Sequence, residues 1–160
     1  MDLQQHKQKA EKLKKENKVF YDKLQRTKPK QLDEKFHHLH DSVFEKIDCL
    51  ECANCCKTTS PIFYNRDIER LAKHLRQKPG DFIERYLKID EDKDYVFQHA
   101  PCPFLGSDNY CSVYDSRPTA CREYPHTNRK KMDQILKITF NNTIVCPAVL
   151  EITEQLKKII

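Results

Sequence analysis

Eight cysteines, half of them in one short stretch, constrain this 160-residue chain more than any other feature. The stretch reads Cys49-Leu-Glu-Cys52-Ala-Asn-Cys55-Cys56, and the other four cysteines are Cys102, Cys111, Cys121 and Cys146. Two-residue spacers let a tight turn aim successive sulfurs at one centre while backbone N–H groups donate hydrogen bonds to the thiolates. We therefore predict that all eight cysteines are metal ligands.

Composition and the first residues favour metal over disulfides. Apolar residues make up 38% of the chain and charged residues 33%, a poor supply of core material, so disulfides or metal should support the fold. The first seven residues, Met-Asp-Leu-Gln-Gln-His-Lys, are polar, and no run has the length of a membrane span. We expect a cytoplasmic protein without membrane contact, where thiols stay reduced and serve as ligands or catalytic groups.

Two kinds of metal site fit the spacing. Cysteines in the C-x2-C-x2-C register with a remote Cys-Pro, here Cys102-Pro103 or Cys146-Pro147, are compatible with a four-iron (4Fe-4S) iron–sulfur cluster. C-x2-C pairs combined two by two would serve Zn²⁺ equally well, since zinc takes four thiolates in a tetrahedron. The sequence leaves both cofactors open.

Cys55 and Cys56 are adjacent, and adjacent side chains generally diverge, which predicts two centres. The simplest partition joins Cys49, Cys52 and Cys55 to one remote cysteine and leaves Cys56 with the other three. An open second centre completed by water or by His99 is an alternative, although an isolated histidine is usually an ordinary surface residue.

The segment from Tyr114 to Pro125 brings arginines and tyrosines close to Cys121. Thiolate centres carry negative charge, and arginines can offset it by donating hydrogen bonds to sulfur. Arg122 directly follows Cys121 and is favoured for that role, whereas Arg117 could face outward. Alternatively, these side chains line an anion or substrate pocket beside the metal: Tyr114, Arg117, Arg122 and Tyr124.

The positive charge is confined to residues 1–30. That segment has ten basic and four acidic side chains, a balance of +6, whereas the whole chain has +5. We predict a basic N-terminal helix or tail over residues 1–30, followed by a cysteine-cluster metal-binding domain over residues 31–160. The alternative function is a structural zinc module that contacts nucleic acid or a protein partner through this basic segment, which could also be an ordinary solvated helix.

Periodicity predicts an α+β fold that is mainly α. We expect a small, irregular domain nucleated by metal, with short strands and a loop-rich centre that contains the cysteines. Helices are predicted over residues 31–47, after Asn65 as N-cap, after Asp81 as N-cap, and from Cys146-Pro147 onward. Strands are predicted over residues 59–64, 95–97 and 135–140. The two glycines, Gly80 and Gly106, leave no phosphate-binding loop, which excludes kinases, NTPases and Rossmann enzymes.

These motifs resemble the YkgJ-like cysteine-cluster family, a zinc- or iron-chelating domain marked by CxxCxxCC. The resemblance covers residues 49–147. It rests on the cysteine stretch, Pro101-Cys102-Pro103-Phe104-Leu105, Cys111-Ser112-Val113-Tyr114, Arg117-Pro118-x2-Cys121-Arg122-x-Tyr124-Pro125 and Cys146-Pro147. It implies metal chelation by all eight cysteines. The Cys55-Cys56 pair and the arginines motivate the accompanying hypothesis of a redox or protein-modifying activity. Ala53 and Asn54 replace the glycine that is usual inside the cluster.

Overall fold

The computed structural model describes residues 2–160. Within that range the chain is 62% helical, with one pair of short antiparallel strands, and the prediction of a mainly α, α+β fold is confirmed. The chain divides into two compact units. Unit 1 comprises Met1–Cys52 together with Pro125–Ile160, and unit 2 comprises Ala53–Tyr124.

The helices and strands are numbered in chain order. Unit 1 contains the helices α1 (Leu3–Thr27), α2 (Leu32–Phe44), α3 (Cys49–Cys52), α8 (Leu136–Val145) and α9 (Pro147–Ile159). Unit 2 contains the helices α4 (Asn54–Thr58), α5 (Asn65–His74), α6 (Pro79–Tyr86) and α7 (Thr119–Glu123), and the strands β1 (Leu87–Ile89) and β2 (Tyr95–Phe97). Short 3-10 turns lie at Tyr114–Ser116 and Met132–Gln134.

Most of the basic segment is the long helix α1. The Asp2 carboxylate caps it by accepting hydrogen bonds from the N–H groups of Gln4 at 2.9 Å and Gln5 at 3.1 Å. Lys28, in the left-handed conformation with φ of 42°, ends it. One face of α1 is buried in unit 1: His6, Ala10, Asn17, Tyr21 and Leu24. The helix is therefore part of a folded unit.

The core of unit 1 lies where α1 packs on α8 and α9, and where α2 packs on α9. The prediction of α2 is confirmed: its apolar positions recur at the helical period and are buried at Leu32, Phe36, Leu39 and Val43. The core also includes Leu24, Met132, Leu136, Ile152 and Leu156.

The strand predicted over residues 135–140 is wrong, because the helix α8 begins at Leu136. The β-branched residues of this segment suggested a strand. Thr139 instead directs its hydroxyl to the carbonyl of Ile135 at 3.0 Å, within the helix. Packing against α1 therefore decides the conformation in place of local propensity.

The final helix, α9, begins where it was predicted. Pro147 occupies the first turn, where its missing N–H costs nothing, and Cys146 is the N-cap residue. The apolar stripe of α9 is buried at Val149, Ile152 and Leu156.

Unit 2 has its own core, built on α5, α6 and a short hairpin. The strands β1 and β2 pair antiparallel, with Leu87 opposite Phe97 and Ile89 opposite Tyr95. The strand predicted over residues 95–97 is confirmed, whereas that over residues 59–64 reduces to an isolated bridge from Phe63 to Tyr95. The buried apolar residues of this core are Phe63, Ile68, Leu71, Ala72, Phe82, Leu87, Phe97, Phe104 and Val113.

Both predicted N-caps in unit 2 are displaced. The N-cap residue of α5 is Tyr64, one residue before Asn65, because the Asp67 carboxylate accepts the Tyr64 N–H at 3.0 Å. The helix α6 begins at Pro79, before the predicted cap at Asp81, since proline is favourable in a first helical turn.

Candidate metal centre

The eight cysteines all carry free thiols and divide between the two units. Unit 1 holds Cys49, Cys52 and Cys146, and unit 2 holds Cys55, Cys56, Cys102, Cys111 and Cys121. The boundary between the units thus falls inside the cysteine stretch, between Cys52 and Ala53.

The cysteine stretch forms two single-turn helices. At the start of α3, the Asp48 carboxylate accepts the N–H of Leu50 at 2.8 Å. Ala53 is the N-cap residue of α4 and has a left-handed backbone with φ of 48°. Of the two residues that replace the usual glycine, Ala53 adopts the positive φ, although asparagine tolerates that conformation better.

Four thiols of unit 2 lie close enough together to interact electrostatically: Cys56, Cys102, Cys111 and Cys121. We call them the unit 2 thiol group. Burial, and then the charges of the other three, raise the pKa of Cys121 to about 12. A backbone hydrogen bond of 2.8 Å from the N–H of Cys102 to the carbonyl of Cys56 ties α4 to the remote segment.

Backbone N–H groups donate hydrogen bonds to two sulfurs of the unit 2 thiol group. Burial raises the pKa of Cys102 to about 11, opposed by hydrogen bonds from the N–H groups of Phe104 and Leu105. Burial also raises the pKa of Cys111, opposed by the N–H of Val113. An N–H donor stabilises a thiolate more than a thiol, so these turns suit the ionised sulfur that binds metal.

Cys56 differs from the other thiols of the unit 2 thiol group. A hydrogen bond with the Cys55 side chain, opposed by burial and assisted by the charges of Arg117 and Lys57, lowers the pKa of Cys56 to about 7. The Cys55 and Cys56 side chains are thus close enough to interact in α4. The placement of Cys55 with Cys49 and Cys52 remains a prediction from the spacing.

Unit 1 gathers its own cysteines. Burial raises the pKa of Cys146 to about 11, and nearby Cys49 and Cys52 add to the increase. The N–H groups of Ala148 and Val149, at the start of α9, donate to the Cys146 sulfur and act in the opposite direction. Cys146 thus sits at a helix N-terminus, where the backbone favours negative charge.

Of the two predicted arginines, Arg117 faces the thiols. Its positive charge lowers the pKa values of Cys56, Cys111 and Cys121. The Arg122 side chain is exposed and donates to the carbonyl of Asp115 at 2.6 Å. The charge that acts on the thiols is thus that of Arg117, since adjacency to a ligand in sequence does not fix where a long side chain points.

The remaining predicted residues lie in unit 2 as well. Tyr114 is exposed, and the guanidinium carbon of Arg117 lies 3.5 Å from the centroid of its ring. Tyr124, at the end of unit 2, is partly buried. His99 is exposed.

Two residues that the sequence analysis missed hold the segment between Arg117 and Cys121. The Asp67 side chain is fully buried, and one of its oxygens accepts hydrogen bonds from the N–H of Thr119 at 3.0 Å and from its hydroxyl at 2.9 Å. Arg70 donates to the same oxygen at 2.8 Å and to the carbonyl of Arg117 at 2.6 Å. An acidic residue at the third position of α5 is a capping signal that could have identified Asp67.

Cysteine sulfurs are suitable ligands for a thiophilic metal, although their arrangement is not a complete coordination sphere. Among residues 2–160, no group of three or more His, Cys, Asp or Glu side chains already has a geometry that could hold a metal ion. The thiols with raised pKa values are stable as neutral groups, and metal binding requires their deprotonation. A bound cation would supply the charge that these buried thiolates need, so the chemistry of the residues fits.

A mainly helical fold in which backbone N–H groups donate to partly buried cysteine sulfurs defines a cysteine-cluster protein. The chain belongs to the CxxCxxCC family, whose model matches residues 48–142 and is described as a "putative zinc- or iron-chelating domain". Neither a curated protein nor a solved structure matches the chain. Over residues 2–160, no helix has both the length and the apolar character needed to cross a membrane.

Proposed function

We propose that the protein chelates zinc or iron through cysteine thiolates and that the unit 2 thiol group holds one metal centre. Cys49, Cys52 and Cys146, all of unit 1, contribute to a second centre. Both metals take four thiolate ligands, so one donor chemistry serves either.

The main support for this proposal is the set of backbone hydrogen bonds to cysteine sulfurs. Backbone N–H groups donate to Cys102, Cys111 and Cys146, which lie far apart in sequence and in both units. Such bonds orient a thiolate and stabilise its charge, as expected around metal-bound sulfur. An inert buried thiol would gain little from them.

The charge of Arg117 also supports metal chelation by the unit 2 thiol group. Four thiolates around Zn²⁺ or a cubane cluster leave net negative charge, and a guanidinium close to three of the sulfurs offsets part of it. Neutralisation by a fixed cation lowers the cost of burying the centre.

The identity of the metal decides the class of activity. Zinc would have a structural role here, whereas an iron–sulfur cluster would supply electron transfer, on which a redox or protein-modifying activity could depend. Either needs reduced thiols, so we also propose a reducing compartment, the cytoplasm.

Anaerobic purification followed by visible absorption, metal analysis and acid-labile sulfide analysis tests the proposal. Iron with sulfide and a brown colour would identify a cluster, and a colourless protein with about two zinc ions would identify two zinc sites. We expect Cys121→Ser and Cys146→Ser each to lose about half of the metal, since each removes one ligand of a different centre.

Ser112→Ala, which changes an exposed side chain in the same segment as the ligands, is the matched control and should keep all of the metal. Cys56→Ser tests the partition, because it should lower the metal content of the same centre as Cys121→Ser does. Full metal content in both Cys121→Ser and Cys146→Ser would refute the proposal.

A further inference from the structure

The excess positive charge belongs to unit 1 alone. Unit 2 is formally neutral, with eleven basic and eleven acidic residues, so the +5 of the chain is the charge of unit 1. Within unit 1 the largest positive excess lies in residues 1–30, most of which form α1. With eight basic and three acidic residues, α1 has a formal charge of +5.

The carboxylates within α1 are all engaged by lysines. Each lies within ion-pair distance of a partner: Glu11 and Lys14 at 3.8 Å, Asp22 and Lys18 at 2.9 Å, and Glu16 and Lys157 at 2.6 Å. Asp2, before the helix, is the N-cap. The other lysines of α1 are therefore not neutralised by the acidic residues of their own helix.

Four of the remaining cations define one side of α1, which we call the basic stripe: Lys12, Lys15, Lys23 and Arg26. All four are exposed, and none has a carboxylate partner among the residues that the structure describes. At 3.6 residues per turn they fall within an arc of about 80° and extend over about 21 Å. The arc is opposite the buried residues Asn17 and Leu24.

We propose that the basic stripe binds the phosphate backbone of duplex DNA without reading its sequence. A straight row of unpaired cations complements the dense, regular negative charge of a duplex, and release of the condensed counterions drives such binding. Lysine ammonium groups contact phosphate as point charges, which gives affinity without base recognition.

The side chains of the basic stripe argue against two other polyanions. Single strands bind on aromatic side chains that stack with bases, and the arc of the stripe contains none. Membrane-surface helices insert large apolar side chains, but the exposed apolar residue in this arc is the small Val19. Packing on α8 and α9 holds α1 as a fixed rod, so the stripe is organised before binding.

Fluorescence anisotropy of the metal-loaded full chain with a labelled duplex of about 20 base pairs, between roughly 50 and 200 mM salt, tests the inference. We expect the logarithm of the association constant to fall with the logarithm of salt concentration with a slope of about −3 to −4, as four phosphate contacts predict. The triple variant Lys12→Glu, Lys15→Glu, Lys23→Glu should bind about 100-fold more weakly, with a slope closer to zero.

The matched control changes three exposed lysines of unit 2, Lys78→Glu, Lys88→Glu and Lys93→Glu, and has the same formal net charge. It should retain affinity within about threefold, since the changes lie outside the basic stripe. Equal loss in both variants would overturn the inference, as would tighter binding to a single strand of equal length or to anionic vesicles. Circular dichroism and metal content should be unchanged in both variants. Weaker DNA binding then does not result from unfolding or metal loss, and it is distinguishable from failure of the metal proposal.

Discussion

The buried Asp67 and the partly exposed Arg70 of α5 form an ion pair, with 2.8 Å between Oδ1 and Nη2, that also holds the backbone of the Arg117–Thr119 segment. Arg117 and Cys121 adjoin that backbone, one offering charge to the thiols and the other belonging to the unit 2 thiol group. The pair thus links the core of unit 2 to the position of the candidate ligands.

Replacing Asp67 by asparagine should destabilise the chain by about 1–3 kcal/mol, because Arg70 loses its counter-charge and an amide nitrogen cannot accept the Tyr64 N–H as the carboxylate does. Urea unfolding of the apo and metal-loaded proteins measures the change. The metal-loaded form should also release zinc to a competing chelator more readily.

Asp81→Asn is the matched control, since Asp81 is exposed in the first turn of α6 and should change stability by less than about 0.5 kcal/mol. Equal stability of the Asp67 and Asp81 variants would contradict the role assigned to the ion pair.

Arg117 and Arg122 offer a direct comparison of two arginines beside the same cysteines. Arg117→Gln should weaken metal affinity by about 10- to 100-fold, because it removes positive charge close to three sulfurs. Arg122→Gln should leave affinity nearly unchanged, since the charge of Arg122 is not among the causes that shift the pKa values of these three thiols. Chelator competition measures both, and a larger loss in the Arg122 variant would reverse the assignment.

Ala53 has a left-handed backbone that glycine would adopt without strain. Ala53→Gly should stabilise the apo protein by up to about 1 kcal/mol, the balance between the relieved φ strain and the greater entropy of glycine when unfolded. Ala53→Val should destabilise it by more than that, because a β-branched residue tolerates positive φ poorly. Thermal unfolding checks both, and a less stable glycine variant would show that the alanine methyl, which is buried, matters more.

The sequence predicts the helices that depend on local features, such as the spacing of apolar residues or the position of a proline. Leu32, Phe36 and Leu39 recur at the helical period, and Pro147 marks a helix start, so α2 and α9 follow from the sequence. The helix α8 does not, because its β-branched residues favour a strand until packing against α1 is known. Local propensity and tertiary packing conflict there, and packing decides.

In the candidate metal centre, too, local features are predicted from the sequence and tertiary contacts are not. Cysteine spacing identifies the ligand type, but it does not indicate that Cys146 lies with Cys49 and Cys52 while Cys121 lies with Cys56. Those pairings depend on how α9 and α7 are placed within their units. Likewise, the backbone position of Arg117, whose charge acts on the thiols, depends on Asp67 and Arg70, about 50 residues earlier in the chain.

His40 provides a test by pH in unit 1. Its Nδ1 lies 2.8 Å from the hydroxyl of the buried Thr127, and burial lowers the pKa of His40, with Asp41 opposing and His37 reinforcing the shift. The folded pKa lies below the unfolded value of about 6.5. Burial of His40 therefore does not affect stability above that pH, and it lowers stability as the pH falls through the folded pKa. The free energy of unfolding should therefore decrease from about pH 7 to about pH 5.

His40→Gln keeps a hydrogen-bonding side chain but cannot titrate, so its stability should decline less over this range. His38→Gln removes an exposed histidine on the same helix and should decline as much as the parent chain. Urea unfolding of the apo proteins at several pH values measures the three slopes without a contribution from metal release. Identical slopes in the His40 and His38 variants would show that burial of His40 does not penalise its protonated form.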